Sequence, residues 1–447
     1  MSSNHILQAC HAIAGLAILG VLTGCASSLR PVTLPTEAPA PPGPASTPTP
    51  AVDRTAPGSR PPRPDLAPAQ VPTSARWLPA RWSELPGFDT DRARELWPAL
   101  LASCTRPAPG WSRTCARILL EPPPASDEAA RRWLMAELQP WRVQARQAEP
   151  TALGDESPAS EAAPSSAVAP NDMRALGLAT GYFEPELAAA RRPQGRFRVP
   201  LYAPPPELLG ASALRKPYYT RQQLETLPQA RAALRGREIA WIEDPLDALM
   251  LQVQGSGRLR VLEPDGRTSR VRLSFAAHNE QPYRSLGRWL VEQGELSAEQ
   301  ASWPAIKSWA QRNPARADEL HWANPRVVFF REEPLSAPEL GPIGAQGVPL
   351  TPGRSVAVDP QAVPLGTLLW LDTTAPMSPT PLRRLVVAQD TGSAIVGPVR
   401  VDLFFGWQPG AEELAGRMKQ PLRLWALWPQ GQVPPAAQAA PASVPRP

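Results

Sequence analysis

The chain has 447 residues, with 46 Lys and Arg against 41 Asp and Glu for a formal charge of +5. No basic cluster is interleaved with aromatics, which argues against nucleic acid as a partner. The mild positive balance favours anionic polymers or lipid head groups. The four histidines are scattered and the four cysteines form no Cys-x-x-Cys, so neither a metal centre nor a cofactor is expected.

Residues 12–22 form an apolar run of eleven, short of the roughly 20 that a bilayer span needs. The run suits the core of a secretory signal, although residues 1–12 hold no Lys or Arg. It leads into Leu22-Thr-Gly-Cys25-Ala26, which resembles the lipobox of bacterial lipoproteins. That resemblance implies a signal peptide over 1–24 and lipidation of Cys25. Alanine at 26 implies sorting to the periplasmic face of the outer membrane, with the lipid as a partner through the Cys25 anchor. Residues 25–75 are dominated by Pro, Ala, Thr and Ser, cannot bury enough surface to fold, and read as a stalk. Residues 147–171 and 430–447 share this texture and read as a disordered insertion and a tail. About 330 residues remain for folding, enough for two domains.

Apolar spacing predicts helices over 90–103 and 126–138, with Asp127 as an N-cap. Between them Cys104 and Cys115 flank a loop with Pro107, Pro109 and Gly110. In an oxidising compartment that pair can close a disulfide. A strand-to-turn signal follows at 178–185, then a Pro-bounded edge strand at 197–202. Helices are predicted at 221–227 and 245–250, and 249–262 reads as a strand, a glycine break and a second strand. A strand at 271–275 precedes helices at 283–292 and 298–312, with Pro304 a break or a restart. Short strands at 326–330, 355–358, 367–371, 385–388, 399–405 and 422–427 close the chain, a set that suits a small barrel.

Three acids stand out in that closing set. Asp390 ends an apolar run, Asp402 sits inside another, and Asp359 ends a third. An acid in an apolar strand is costly unless it is paired or used. On the last acid strand the period of two puts Arg400, Asp402 and Phe404 on one face and Val399, Val401 and Leu403 on the other. If the aliphatic face fills the barrel, Asp402 looks into a groove. Arg400 lowers its pKa, while burial against Phe404 or Trp407 raises it.

Five motifs in order carry a resemblance to a known family. They are Thr180-Gly-Tyr-Phe-Glu-Pro185, Gln252-Val-Gln-Gly-Ser-Gly257, Asn279-Glu-Gln-Pro-Tyr283-Arg-Ser-Leu-Gly-Arg288, Asn324-Pro-Arg-Val-Val-Phe-Phe330 and the stretch from Asp390 to Asp402. Together they resemble the membrane-bound lytic murein transglycosylase A family, over roughly 178–428. The resemblance implies a mainly β, α+β protein: a double-psi β-barrel, an inserted second β-rich domain, and a substrate groove between them. The implied parts are an N-terminal helical section at 76–190, an insert at 191–325 and the three-aspartate barrel at 326–429. Asp402 maps to the catalytic acid, with Asp390 and Asp359 as its supports. Tyr182, Glu184, Gln252, Gln254, Gly255, Ser256, Gly257, Tyr283 and Arg400 are the expected substrate contacts. The implied substrate is the peptidoglycan glycan strand, cut with formation of 1,6-anhydro-N-acetylmuramic acid. Ser393 departs from the family's second glycine, and the 147–171 insertion is extra.

Two other readings compete. Asp390-Thr-Gly-Ser resembles an aspartic-protease loop, but such enzymes need two of these loops, and the chain has one. A wall-binding lipoprotein without catalysis would not need three acids. Partners in wall synthesis or division leave no readable motif, and a monomer is the default.

Overall fold

The computed structural model describes residues 75–145, 176–209 and 217–435. The expected signal, Cys25, the stalk up to 74, the 147–171 insertion and the tail beyond 435 lie outside the described residues. The chain starts one sheet with β1 (Ala75–Pro79), β2 (Leu138–Ala145) and β3 (Gly177–Tyr182). It leaves to build a second from β4 (Glu186–Ala190), β5 (Val199–Tyr202), β6 (Glu238–Ile242), β7 (Ser256–Leu262), β8 (Thr268–His278) and β9 (Val328–Pro334). It returns through β10 (Ser355–Val358), β11 (Leu368–Thr374), β12 (Pro381–Asp390), β13 (Arg400–Phe404) and β14 (Lys419–Pro429).

The first sheet runs β1-β2-β14-β11-β12-β10-β13-β3, and β14 also pairs with β3, which closes six strands into a ring. Two of the ring's contacts, β10–β12 and β3–β13, are parallel, and the others are antiparallel. This is the expected double-psi β-barrel. β11 and the end of β12 are buried on both faces. Barrel side chains such as Leu369 and Leu385 share one core with Leu96, Leu100, Ile118 and Leu134 from the N-terminal helices. That double cover explains why these strands read as continuous apolar runs. The structure joins Cys104 to Cys115 as a disulfide between two of those helices.

The inserted sheet runs β5-β6-β4-β7-β8-β9. The helix Pro245–Gln254 covers it, with Ala248 and Leu251 in the sheet's core. Leu246 and Leu249 join Leu290, Ile306 and Trp309 on the helix's other side. β4 and β9 both bond within this sheet, which therefore draws on residues from 186 to 334.

Several local expectations need correction. Residues 249–254 are helix, not strand; a short apolar run fits either period, and Gly255 at φ +79° then caps the helix. Ser126, not Asp127, is the N-cap, since Ser126 is extended and accepts from Ala129 N, while Asp127 accepts from Arg94 N at 2.8 Å. Residues 283–285 precede the helix Leu286–Glu292, which Ser285 caps. Pro304 starts the helix Trp303–Arg312 from its first turn, where its missing N–H costs nothing. No helix among the described residues is long and apolar enough to cross a membrane.

Candidate active site

The barrel's register assembles the acids. Ala357 on β10 is level with Asp390 of β12 on one side and Asp402 of β13 on the other. Two acids twelve residues apart in sequence therefore flank a single strand, their backbones about 10 Å apart across it. β3 lies beyond β13, with Thr180 level with Asp402 and Tyr182 level with Phe404. Thr180 Oγ1 donates to Asp402 Oδ1 at 2.5 Å, and Tyr182 OH donates to Asp390 Oδ2 at 2.9 Å. Ala345 N donates to the other oxygen of Asp390 at 3.0 Å.

Both acids line a cavity of about 660 Å³ whose opposite wall comes from the inserted sheet and its helix. Gln252 and Gln254 sit on the last helical turn, and the left-handed Gly255 turns the chain so that Ser256 opens β7. Gln254 Oε1 accepts from Phe183 N at 2.9 Å, and Gln252 Oε1 accepts from Arg221 Nη2 at 2.7 Å. Those bonds fix the two amides and leave their nitrogens without a partner among the described residues. Tyr182, Gln252, Gln254, Gly255, Ser256 and Tyr283, all named from the sequence, line the cavity.

Burial shifts both groove acids in the same direction. Burial pushes Asp402 up to about 6, opposed by the Thr180 hydrogen bond and the Arg400 charge, with Asp390 adding the smallest upward push. Burial also raises Asp390, against the hydrogen bonds from Ala345, Thr391 and Tyr182. Tyr182 is held well above the ordinary tyrosine range by burial and by the Asp390 charge, so it stays a donor. The charge of Asp390 is thus minor beside desolvation, the raising influence weighed from the sequence.

Four residues named from the sequence, one supporting acid and three substrate contacts, are not in the cavity wall. Asp359 accepts from Gln361 N at 2.9 Å and Gly397 N at 2.8 Å. It shapes the loop between the other two acids. Glu184 is fully buried between Arg258 and Arg272. Gly257 is a packing glycine, since a Cβ there would lie 2.2 Å from Leu251 Cδ1. Arg400 Nη1 donates to the carbonyls of Val401 at 2.6 Å and Leu178 at 3.3 Å, and acts on Asp402 only by its field. The sequence reading missed Thr180, although it stands in a quoted motif. Finding it requires knowing that β3 pairs with β13. Phe275 and Ile343, exposed apolar groups at the rim, gave no signal beyond ordinary surface positions.

Asp390-Thr-Gly faces Asp402 from a different strand, not a second Asp-Thr-Gly loop, so the protease arrangement is absent among the described residues. The two halves of the groove match separate known domains. Residues 178–331 match the MltA specific insert domain, and residues 354–428 match the 3D domain. A solved lytic transglycosylase, LtgG, of Burkholderia pseudomallei is 40% identical, with 82% of this chain and 98% of that chain covered at a TM-score of 0.51. MltA from Neisseria gonorrhoeae is 29% identical over 82% of this chain and 98% of its own, at a TM-score of 0.62. The membrane-bound lytic murein transglycosylase A of Vibrio cholerae is 32% identical over 57% of this chain. That match spans 66% of the curated relative, just under two thirds of its length. With both halves of the groove matched in order, and a barrel and insert shared with these structures, the chain belongs to the membrane-bound lytic murein transglycosylase A family.

Proposed function

We propose that the chain is a peptidoglycan lytic transglycosylase that cuts the bond between N-acetylmuramic acid and N-acetylglucosamine with Asp402 as its one acid and base. The observation that carries this reading is a groove-lining carboxyl held near pKa 6. At that value it is part protonated in a near-neutral compartment, as a general acid must be. The Asp402 carboxyl gives its proton to the glycosidic oxygen as the bond from C1 of the muramic acid breaks. The carboxylate then takes the proton of that sugar's C6 hydroxyl as O6 bonds to C1. The product is the 1,6-anhydro ring, Asp402 regains its proton, and no water is consumed. Ordinary glycosidases divide these roles between two carboxylates. Here the attacking group belongs to the substrate, so proximity replaces the second one.

Asp390 supports the reaction from across β10. Its oxygens are held by Tyr182 and Ala345 N, which fixes it close enough to add a small upward push on Asp402. The unpartnered amide nitrogens of Gln252 and Gln254, with Ser256, offer donors and acceptors to sugar hydroxyls and acetamido groups. The apolar rim of Val253, Phe275, Tyr283 and Ile343 offers faces for pyranose rings. Membrane attachment through a lipid on Cys25 is part of this proposal, supported by the lipobox and by the relatives' name.

The test is digestion of purified peptidoglycan with protein lacking residues 1–25, beside Asp402→Asn, with mass analysis of the released muropeptides. Products one water lighter than lysozyme products, absent with Asp402→Asn, are the expected result. Water-added products mean a hydrolase with a second carboxylate. No new ends mean a binding protein.

A further inference from the structure

Glu184 lies where the chain leaves the barrel for the insert, between β3 and β4. Its side chain is fully buried, with Oε2 accepting from Arg258 Nε at 2.8 Å and Oε1 from Arg272 Nε at 2.6 Å. The two arginines are level with each other on β7 and β8. Each also reaches the second crossing, where β9 returns to the barrel. Arg258 donates to Pro338 O at 2.7 Å and Leu340 O at 3.0 Å, and Arg272 donates to Leu340 O at 2.6 Å. From the barrel, the Trp407 ring lies against Arg258, with its centroid 3.8 Å from the guanidinium carbon. Glu184 N completes the junction by donating to Gly406 O at 2.8 Å.

One cluster thus holds both chain crossings, two strands of the insert and the barrel rim. For stability alone a packed apolar cluster would serve as well, because removing three charges from water offsets most of what their attraction supplies. Charged, forked hydrogen bonds add fixed distances and directions. The cluster's position makes those distances matter. Arg258 is two residues past Ser256, Glu184 two past Tyr182, and Trp407 five past Asp402. All three of those neighbours line the groove.

We infer that Glu184 is a positioning residue: with Arg258 and Arg272 it pins the insert at one angle over the barrel. It thereby sets the span between the Gln252–Ser256 wall that holds the glycan and the Asp402 wall that cuts it. This rests on the groove being the glycan site. Freed of the pin, the insert keeps its sugar contacts but presents the scissile bond off-register to Asp402, and small misplacements of that kind are costly in rate.

The experiment measures kcat and KM for anhydro-product release from solubilised glycan strands by wild type, Glu184→Gln and Trp407→Leu. Circular dichroism confirms that each protein is folded at the assay temperature. The expected result for Glu184→Gln is a kcat lowered roughly 10- to 100-fold with KM changed less than about threefold. Trp407→Leu keeps all three charges, and a smaller loss in the same direction is expected. A folded Glu184→Gln with wild-type kcat overturns the inference. So does a raised KM at unchanged kcat, which marks a direct sugar contact instead. If Glu184→Gln does not fold, Trp407→Leu decides, and an unchanged kcat there overturns it. A wild type that releases no anhydro product in this assay sinks the transglycosylase reading itself, so the two failures are told apart.

Discussion

A single carboxyl that first gives and then takes a proton works best when neither form dominates near the working pH. Burial brings Asp402 to that condition, at about 6, from an ordinary value of 3.8. Because the proposed cycle starts from the protonated acid, kcat/KM is expected to be flat below pH 6 and to fall toward tenfold per unit above it. A pH profile on solubilised glycan checks this, and a profile rising through pH 7 would rule out Asp402 as the starting acid. The Thr180 hydroxyl pulls the value down, so Thr180→Val moves the falling limb to higher pH; a limb that stays or moves down removes Thr180 from this role. The same burial has a cost in stability. A carboxyl whose folded value lies above its unfolded one binds more protons folded than unfolded, so stability drops as pH rises from about 4 to 6. Fully developed, a shift from 3.8 to about 6 amounts to roughly 3 kcal/mol at 1.36 kcal/mol per unit. Asp402→Asn removes that penalty. Urea melts are expected to show it more stable than wild type at pH 7 by up to this amount, with the gain gone at pH 3.5. Equal stability at both pH values would mean that Asp402 is not desolvated as described.

At the scale of elements, the turn from the helix Pro245–Gln254 into β7 carries the groove wall proposed to hold the glycan. Gly255 adopts φ +79° with open space beside it, while Gly257 has no positive φ but is in contact with Leu251. The two glycines therefore fail differently. Gly255→Ala costs about 1–2 kcal/mol of backbone strain, and Gly257→Ala about 1–3 kcal/mol through overpacking. Denaturant midpoints measure both, and only Gly255→Ala, which re-aims Gln254 and Ser256, is expected to raise KM as well. This turn also shows what the sequence could tell. The motif located the wall, and the period of two on β13 placed Asp402 on the face opposite Val401 and Leu403, both buried. What stayed hidden was non-local. A run of six apolar or amide residues fits a helix or a strand until its packing partner is known. Likewise Glu184 reads as a site residue until the arginines from β7 and β8 close over it. Asp359 looked equal to its two partners because a strand-end acid has the same local pattern whether it faces a cavity or ties down a loop.

For the whole molecule, every residue of the groove wall lies between Tyr182 and Asp402, and the described residues from Ala75 onward belong to one compact unit. That unit also contains β1, whose Ala75 and Trp77 are buried in the barrel core, so a shortened chain must keep β1. A chain starting at Leu66 is therefore expected to fold and to release anhydro-muropeptides from isolated peptidoglycan with kcat within about threefold of the full-length protein, since no step of the chemistry draws on residues 1–65. What the N-terminal segment adds, on the reading of Cys25 as a lipid anchor, is place: Cys25→Ser is expected in the soluble fraction of lysed cells, and the unaltered protein with the outer membrane. The two results bear on separate claims. A shortened chain that folds but cuts nothing, beside an active full-length protein in detergent, would make the N-terminal segment or the lipid surface part of the catalytic unit. The barrel and insert alone would then not be the whole enzyme.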